Sequence, residues 1–101
     1  MNVFFEKEAL DEYLDAARHS ENRFGLGKSF IAAVEESLAL VADDPGKFQE
    51  VGMGIRIFRM RRFPFYLFYQ YLSDQNLITI YAVAHHARRP EYWRERIPSN
   101  P

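Results

Sequence analysis

Apolar residues recur through the first half of the chain at helical steps. Ala9, Tyr13, Ala16, Ala17 and Phe24 share one face of a helix expected from Lys7 to Phe24. Glu6, Glu8, Asp11 and Glu12 crowd its first turns, while Arg18, His19 and Arg23 sit late, the distribution a helix dipole favours. Asn22, Gly25 and Gly27 mark a break. Phe30, Ile31, Val34, Leu38 and Val41 form a second buried stripe, which predicts a helix from Leu26 to Ala42. Asp43-Asp44-Pro45-Gly46 stops it, because a residue before proline is pushed out of the helical region. Ahead of both helices, Val3-Phe4-Phe5 reads as a short opening strand.

Past Gly52 and Gly54 the pattern alternates with a period of two. Ile55 to Arg61 reads as a strand, with Ile55, Ile57, Arg59 and Arg61 on one face and Arg56, Phe58 and Met60 on the other. Arg62-Phe63-Pro64 breaks it. Phe65 to Leu72 carries aromatics on both faces, as a central strand covered on each side would. Ser73-Asp74-Gln75-Asn76 is a turn cluster, and Leu77 to Ala84 is the next strand. Tight connections between consecutive strands make an antiparallel meander. Pro90 can open a short helix over Glu91 to Arg96, and Pro98-Ser99-Asn100-Pro101 is a tail. The expected class is therefore α+β in the order β-α-α-β-β-β. A two-helix hairpin packs on one face of a small, mostly antiparallel sheet, with a short C-terminal helix. The other face is left open as a working surface.

With 101 residues the chain is sized for a single domain. Its hydrophobic content of 48% and aromatic content of 16% exclude wholesale disorder. Cysteine is absent, which excludes a disulfide framework, a cysteine zinc site and a thiol nucleophile. No apolar run approaches the roughly 20 residues that span a bilayer, and the acidic N-terminal stretch is no secretory signal. The cytoplasm is the expected location, with no membrane partner.

The net charge of −1 hides an asymmetry. Residues 1–50 carry five Lys/Arg and eleven Asp/Glu; residues 51–101 carry eight Arg, no Lys and three Asp/Glu. An all-arginine set suits planar bidentate contacts to phosphate or carboxylate. Either the two halves face each other in the fold, or the basic half meets an acidic partner. The second is favoured.

The densest chemistry is His85-His86-x-Arg88-Arg89-Pro90-x-Tyr92-Trp93-Arg94-x-Arg96. Two histidines, four arginines and two aromatics fall within 12 residues. Arginines grip phosphates, aromatics stack bases, and a histidine titrates near neutrality, where it can move protons. The plainer alternative is a basic terminal helix docked on the sheet, with Trp93 buried and its arginines solvated. Arg56, Arg59, Arg61 and Arg62 offer either an anion site or charged protection of a strand edge. Alternation separates Arg56 from Arg59 and Arg61. Tyr66, Tyr69, Tyr71 and Tyr81 read as core residues with the hydroxyl at the rim. His85 and His86, adjacent on a strand, would point to opposite faces, so no shared metal is expected. With no HExxH motif, phosphate loop or serine elbow, no cofactor is expected either.

The acidic first helix is followed, in order, by Phe24-Gly25 and by Leu38 with Asp44-Pro45-Gly46. Then come Gly54-Ile55-Arg56, Phe63-Pro64-Phe65-Tyr66-Leu67-Phe68-Tyr69 and Ile80-Tyr81-Ala82-Val83-Ala84-His85-His86-Ala87-Arg88-Arg89-Pro90. By order and spacing, over roughly residues 1–96, the chain resembles the RelE/ParE superfamily. These are the toxins of bacterial type II toxin–antitoxin modules, often labelled plasmid stabilisation proteins. The fold known for that superfamily agrees with the layout above.

The resemblance implies a toxin neutralised by a cognate antitoxin, small and partly disordered, whose binding segment suits an arginine-rich surface if it is acidic. Two modes of action divide the superfamily. RelE-type members cleave mRNA on the ribosome; ParE-type members block DNA gyrase without known chemistry of their own. Pro64-x-Tyr66, His85-x-x-Arg88 and the absence of Lys from the strands resemble the ParE-like branch. Gyrase is then the expected target, with Arg59, Arg61, His85, Arg89 and Arg94 as the target or anion-binding residues. In the ribonuclease alternative, Arg56, His86, Arg88 and Tyr92 form the catalytic set. A third reading is a non-toxic interaction domain.

Overall fold

The structure is a computed structural model and describes residues 1–98. The first strand, β1 (Asn2–Phe5), leads into α1 (Lys7–Phe24). The Glu6 carboxylate caps the helix, accepting the Glu8 N–H at 2.6 Å, and so takes up an amide that the first turn leaves unpaired. Gly25 ends α1 in the left-handed region at φ 68°, its N–H closing onto the Glu21 carbonyl. Then α2 (Gly27–Asp43) packs against α1. Both helices begin and end within one residue of the expected bounds.

The rest of the chain forms β2 (Glu50–Gly52), β3 (Ile55–Arg59), β4 (Phe65–Leu72) and β5 (Leu77–His85). Together with β1 they make one sheet in the order β1-β5-β4-β3-β2. β1 runs parallel to β5, and the remaining pairs are antiparallel. The aromatic strand β4 lies at the centre, as its two-sided pattern requires.

Three expectations need correction. A further short strand, β2, forms a hairpin with β3 through Met53 (φ 57°) and Gly54 (φ 75°). Two successive left-handed residues give the backbone twist that a two-residue hairpin favours, although methionine is not a residue that signals it. β3 stops at Arg59 rather than Arg61. The expected short C-terminal helix is a 3₁₀ helix over Tyr92–Arg96. Finally, the second face of the sheet is not left open along its whole length. The tail expected at Pro98-Ser99-Asn100-Pro101 falls, beyond Pro98, outside the described residues.

The main core lies between the helices and one face of the sheet. Phe30 and Val34 of α2 and Leu67, Tyr69, Ile78 and Ile80 of the strands are all fully buried there. On the opposite face Ile55, Ile57, Phe68, Tyr81, Ala82 and Ala84 make a smaller cluster closed by Trp93. A bulge makes this partition possible. Phe68 pairs with Ala82 and Tyr69 with Ile80, so Tyr81 is the extra residue on β5. The bulge sends Tyr81 and Ala82 to the same side and restores the helix-facing position at Val83.

Candidate functional site

The site is built where β5 leaves the sheet. The His86 N–H still bonds the Pro64 carbonyl at 2.8 Å, and the Arg88 N–H turns back to the His85 carbonyl at 2.9 Å. The chain then folds across the second sheet face. The Trp93 ring stacks on Phe68, with centroids 5.4 Å apart, and its indole N–H donates to the Pro90 carbonyl at 2.9 Å. Trp93 is 1% exposed. It covers the middle of the face but not the end near His85, and there a cleft of about 270 Å³ remains. The floor of the cleft is Ile57, Phe68 and Ala84, and its walls carry Arg59 and Tyr66 on one side and His85 to Trp93 on the other.

The cleft is rich in cations. The Arg59 guanidinium lies over the Tyr66 ring at 5.7 Å, and the Arg88 guanidinium lies over Tyr92 at 4.0 Å. Among the described residues, no carboxylate comes within 4.0 Å of Arg59, Arg88 or Arg89. The one acidic residue on the rim, Glu91, pairs with Arg94 at 3.2 Å. The His85 and His86 rings sit 4.6 Å apart, and Tyr66 lies 6.5 Å from His86. Strand alternation predicts that the two histidines diverge. They do not, because the strand ends at His85 and the backbone turns, an arrangement in which the Ala87 N–H donates to His85 Nδ1 at 3.1 Å. Among the described residues no three His, Cys, Asp or Glu side chains gather into a metal-binding group.

Behind the cleft a partly buried network ties the C-terminal turn to α1. Glu12 Oε1 accepts from the Val83 N–H at 3.0 Å and from Arg96 Nη1 at 2.8 Å. Glu12 Oε2 accepts from the Tyr92 hydroxyl at 2.8 Å and from Arg96 Nη2 at 2.9 Å. Arg96 also donates to the Tyr81 carbonyl at 3.0 Å. β1 ends at Phe5, opposite Ile80, so β5 has no strand neighbour on that side beyond this point. Glu12 and Arg96 supply the acceptor and donor that a longer β1 would have supplied. Burial pushes the Tyr92 hydroxyl far above its ordinary range, and its bond to Glu12 adds to this. The bonds to Glu12 likewise raise Arg96, outweighing the burial that opposes them.

The structure brings Arg59, His85, His86, Arg88, Arg89 and Tyr92 to one cleft. It separates three other candidates from them. Arg56 faces the helices, where its Nη1 donates to the Phe48 carbonyl at 2.7 Å. The expected ribonuclease set is therefore divided between the two faces of the sheet. Arg61 does not share the face of Arg59, because β3 has ended; it lines a groove with Ser37 and Leu40 of α2. Arg94 lies outside this cleft, paired with Glu91. Tyr92 is present but its hydroxyl is held by Glu12.

Three residues escape the sequence reading. Tyr66 was read as a core tyrosine, yet it lines the cleft. Arg96 is expected either to grip phosphate or to stand in solvent, yet its side chain is only 10% exposed and is held by Glu12. Glu12 carries no local signal at all, since its partners lie 71 to 84 residues away. The spacing of Arg88, Tyr92 and Arg96 at steps of four is the available clue, and both guanidiniums do lie against the Tyr92 ring, at 4.0 and 4.9 Å.

Comparison with known proteins agrees with this picture. The fold is shared with a chain of the chromosomal ParDE toxin–antitoxin system from P. aeruginosa, at 16% identity and a TM-score of 0.62, covering 84% of this chain and 95% of that one. It is shared with the isolated E. coli RelE toxin, at 17% identity and a TM-score of 0.62, covering 94% and 93%. It is also shared with E. coli RelE in complex with an antitoxin RelBc peptide, at 16% identity and a TM-score of 0.61, covering 99% and 97%. No curated protein sequence matches. The sequence model of the ParE toxin of type II toxin–antitoxin systems, parDE, matches residues 3–90. The chain, with its two helices on a five-stranded mixed sheet and its arginine-rich cleft, belongs to the ParE toxin family within the RelE/ParE superfamily.

Proposed function

We propose that this toxin acts by binding rather than by cutting, with DNA gyrase as its target and the arginine-rich cleft as its target-binding surface. Arg59, His85, Arg88 and Arg89 are the contact residues, and a cognate antitoxin neutralises the protein in the cytoplasm. The observation that carries this reading is the dispersal of the groups that RNA cleavage would need. Arg56 is engaged with the Phe48 carbonyl on the helix side, and the Tyr92 proton is held by Glu12. What remains is a cluster of cations with no carboxylate partner among the described residues, which suits recognition of an acidic surface. The RelE structure with its antitoxin peptide supports an antitoxin partner here. The test is a supercoiling assay with purified gyrase. Inhibition that weakens in Arg59→Ala and Arg89→Ala is expected; full supercoiling in excess toxin overturns the reading.

One observation favours a second reading, ribosome-dependent mRNA cleavage. Tyr66, His86 and Arg88 share the cleft, offering an aromatic face, a proton-transfer group and a phosphate contact. Pulse-labelling after induction separates the two. An early fall in thymidine incorporation supports gyrase, and an early fall in methionine incorporation supports mRNA cleavage. No change in either, with a stable antitoxin complex, leaves a non-toxic interaction domain.

A further inference from the structure

We propose that Glu12, on the acidic helix α1, is the positioning residue of the cleft: it fixes Tyr92, and Tyr92 fixes the Arg88 guanidinium that faces the target. The residue lies outside the cleft and in the half of the chain with opposite charge. It would not be chosen from sequence or from proximity to the histidines.

The argument begins with Arg88. No carboxylate among the described residues lies within 4.0 Å of it. Its observed anchor is the Tyr92 ring, whose centroid is 4.0 Å from the guanidinium carbon. Such a contact is weak at an exposed site, too weak to impose one orientation unless the ring itself is immobile. The ring is held on two sides. Its hydroxyl donates to Glu12 at 2.8 Å, and Arg96 packs against the ring at 4.9 Å. Arg96 is itself held by the same carboxylate, through both of its terminal nitrogens. The ring also packs against the small cluster on this face, and Arg96 also pairs with Glu8 at 3.2 Å, but the hydroxyl bond and the firmest hold on Arg96 both converge on Glu12.

Glu12 is fixed in turn. Its carboxylate accepts four hydrogen bonds from three residues, one of them the Val83 N–H of β5. Val83 stays paired with Leu67 of β4, so its backbone N–H cannot swing as a side chain does and sets the carboxylate in the frame of β5. The side chain is 18% exposed and its partner Arg96 10%, which limits screening by water. Charge-assisted bonds in such surroundings hold geometry well. The order of restraint therefore runs from β5 to Glu12, from Glu12 to Tyr92 and Arg96, and from Tyr92 to Arg88. The effect of this chain on inhibition rests on the cleft being the target-binding surface; its effect on Arg88 does not.

The test uses the intact protein with ¹⁵N-labelled arginine, following the Arg88 guanidinium signal, assigned with Arg88→Lys. Stacking on a tyrosine ring displaces that signal from the position of an exposed guanidinium such as Arg18. In Glu12→Gln the Arg88 signal is expected to move toward the exposed position, although Arg88 does not touch Glu12. In Glu95→Gln, an exposed carboxylate on the same 3₁₀ turn, it is expected to stay. Trp93, the one tryptophan in the chain, reports by its emission whether the segment remains docked. Should Glu12→Gln fail to fold, Tyr92→Phe removes only the hydroxyl bond and is expected to move the same signal by less.

The second readout is gyrase inhibition. A coupling of ordinary size predicts about a tenfold weaker inhibition by Glu12→Gln with Trp93 still buried. An Arg88 signal unchanged in both Glu12→Gln and Tyr92→Phe overturns the proposal, whatever happens to inhibition. An Arg88 signal that moves while inhibition stays intact upholds the positioning role and overturns the cleft as the target surface.

Discussion

The two faces of the sheet bury similar kinds of residue by different means. On one face two helices of 18 and 17 residues lie against the strands, and the core is shared among many side chains. On the other a five-residue 3₁₀ turn covers the strands, and one indole closes the cluster. The first face is covered along its length. The second is covered in the middle and left as a cleft near His85. The difference teaches how a chain of 101 residues holds both a stable core and a binding surface. The helix face supplies cooperativity, whereas the other is stabilised only as far as Trp93 and the Glu12 network reach. Beyond that reach, Arg59, Arg88 and Arg89 have no carboxylate partner among the described residues.

The largest effects should separate the two faces. Phe30 is fully buried and packs against Phe63 and Phe65, with both ring centroids 5.1 Å away. Phe30→Ala is expected to cost about 3–5 kcal/mol in urea unfolding, because the helices around it cannot collapse into the space. Trp93→Ala deletes a larger side chain, yet it should cost less, about 3 kcal/mol, since the cover can shift and water can enter from the cleft. Its second signature is local: a Glu12 network no longer held by the docked turn. A Trp93→Ala protein less stable than Phe30→Ala would break the comparison and make the small cluster the more cooperative of the two.

How legible these faces were in the sequence follows the range of the interactions. Both helices were readable because the stripe through Phe30, Val34 and Val41 repeats locally and Gly25 and Pro45 punctuate it. β4 was readable as central from its two-sided aromatics. The hairpin joining β2 to β3 was not, because Met53 takes a left-handed conformation with no residue to announce it. The bulge at Tyr81 was invisible for a related reason: an extra residue shifts the pattern of faces without changing composition. Much of the cleft is legible as a run, His85 to Arg96, with Arg59 expected beside it; on the far wall only Tyr66, expected in the core, is not. Arg59 and Tyr66 join it through strand pairing, and Arg59 lies opposite Tyr66 across β3 and β4. Arg56 was placed correctly on the opposite face from Arg59, and the catalytic set that included it was still proposed across the sheet.

A smaller effect compares the faces by titration. Burial pushes the Tyr69 hydroxyl from 10.0 up to about 12, with Asp44 adding to the rise and Arg56 opposing it. That hydroxyl also donates to the Pro45 carbonyl at 2.7 Å. Between those two values the unfolded chain releases the proton and the folded chain keeps it. Stability is therefore fully present below pH 10 and declines as pH rises toward 12, by at most about 1.4 kcal/mol per pH unit for each such proton. Tyr92, on the other face, shifts in the same direction. Urea midpoints measured between about pH 8 and pH 11 should fall less steeply in Tyr69→Phe and in Tyr92→Phe than in the parent. Equal slopes in all three proteins would mean that neither tyrosine stays protonated in the folded state.

The smallest effect concerns arginines that look alike in sequence. Arg62 pairs with Glu36 at 3.1 Å, and Arg96 pairs with Glu12 at 2.8 Å. The first pair is 73% and 59% exposed, the second 10% and 18%. An exposed pair gains little in water and loses side-chain freedom, so Arg62→Ala should change stability by under about 1 kcal/mol. Added salt should leave that variant and the parent alike, because screening removes what the pair contributes. The Arg96 pair sits behind the cleft, with its donors satisfied by Glu12 and the Tyr81 carbonyl. Its removal would leave a carboxylate and a strand carbonyl facing a space that water reaches poorly, so Arg96→Ala should cost clearly more than Arg62→Ala at any salt concentration. Equal costs for the two substitutions would mean that water already reaches the Glu12 carboxylate, and the second face would then owe its cover to Trp93 alone.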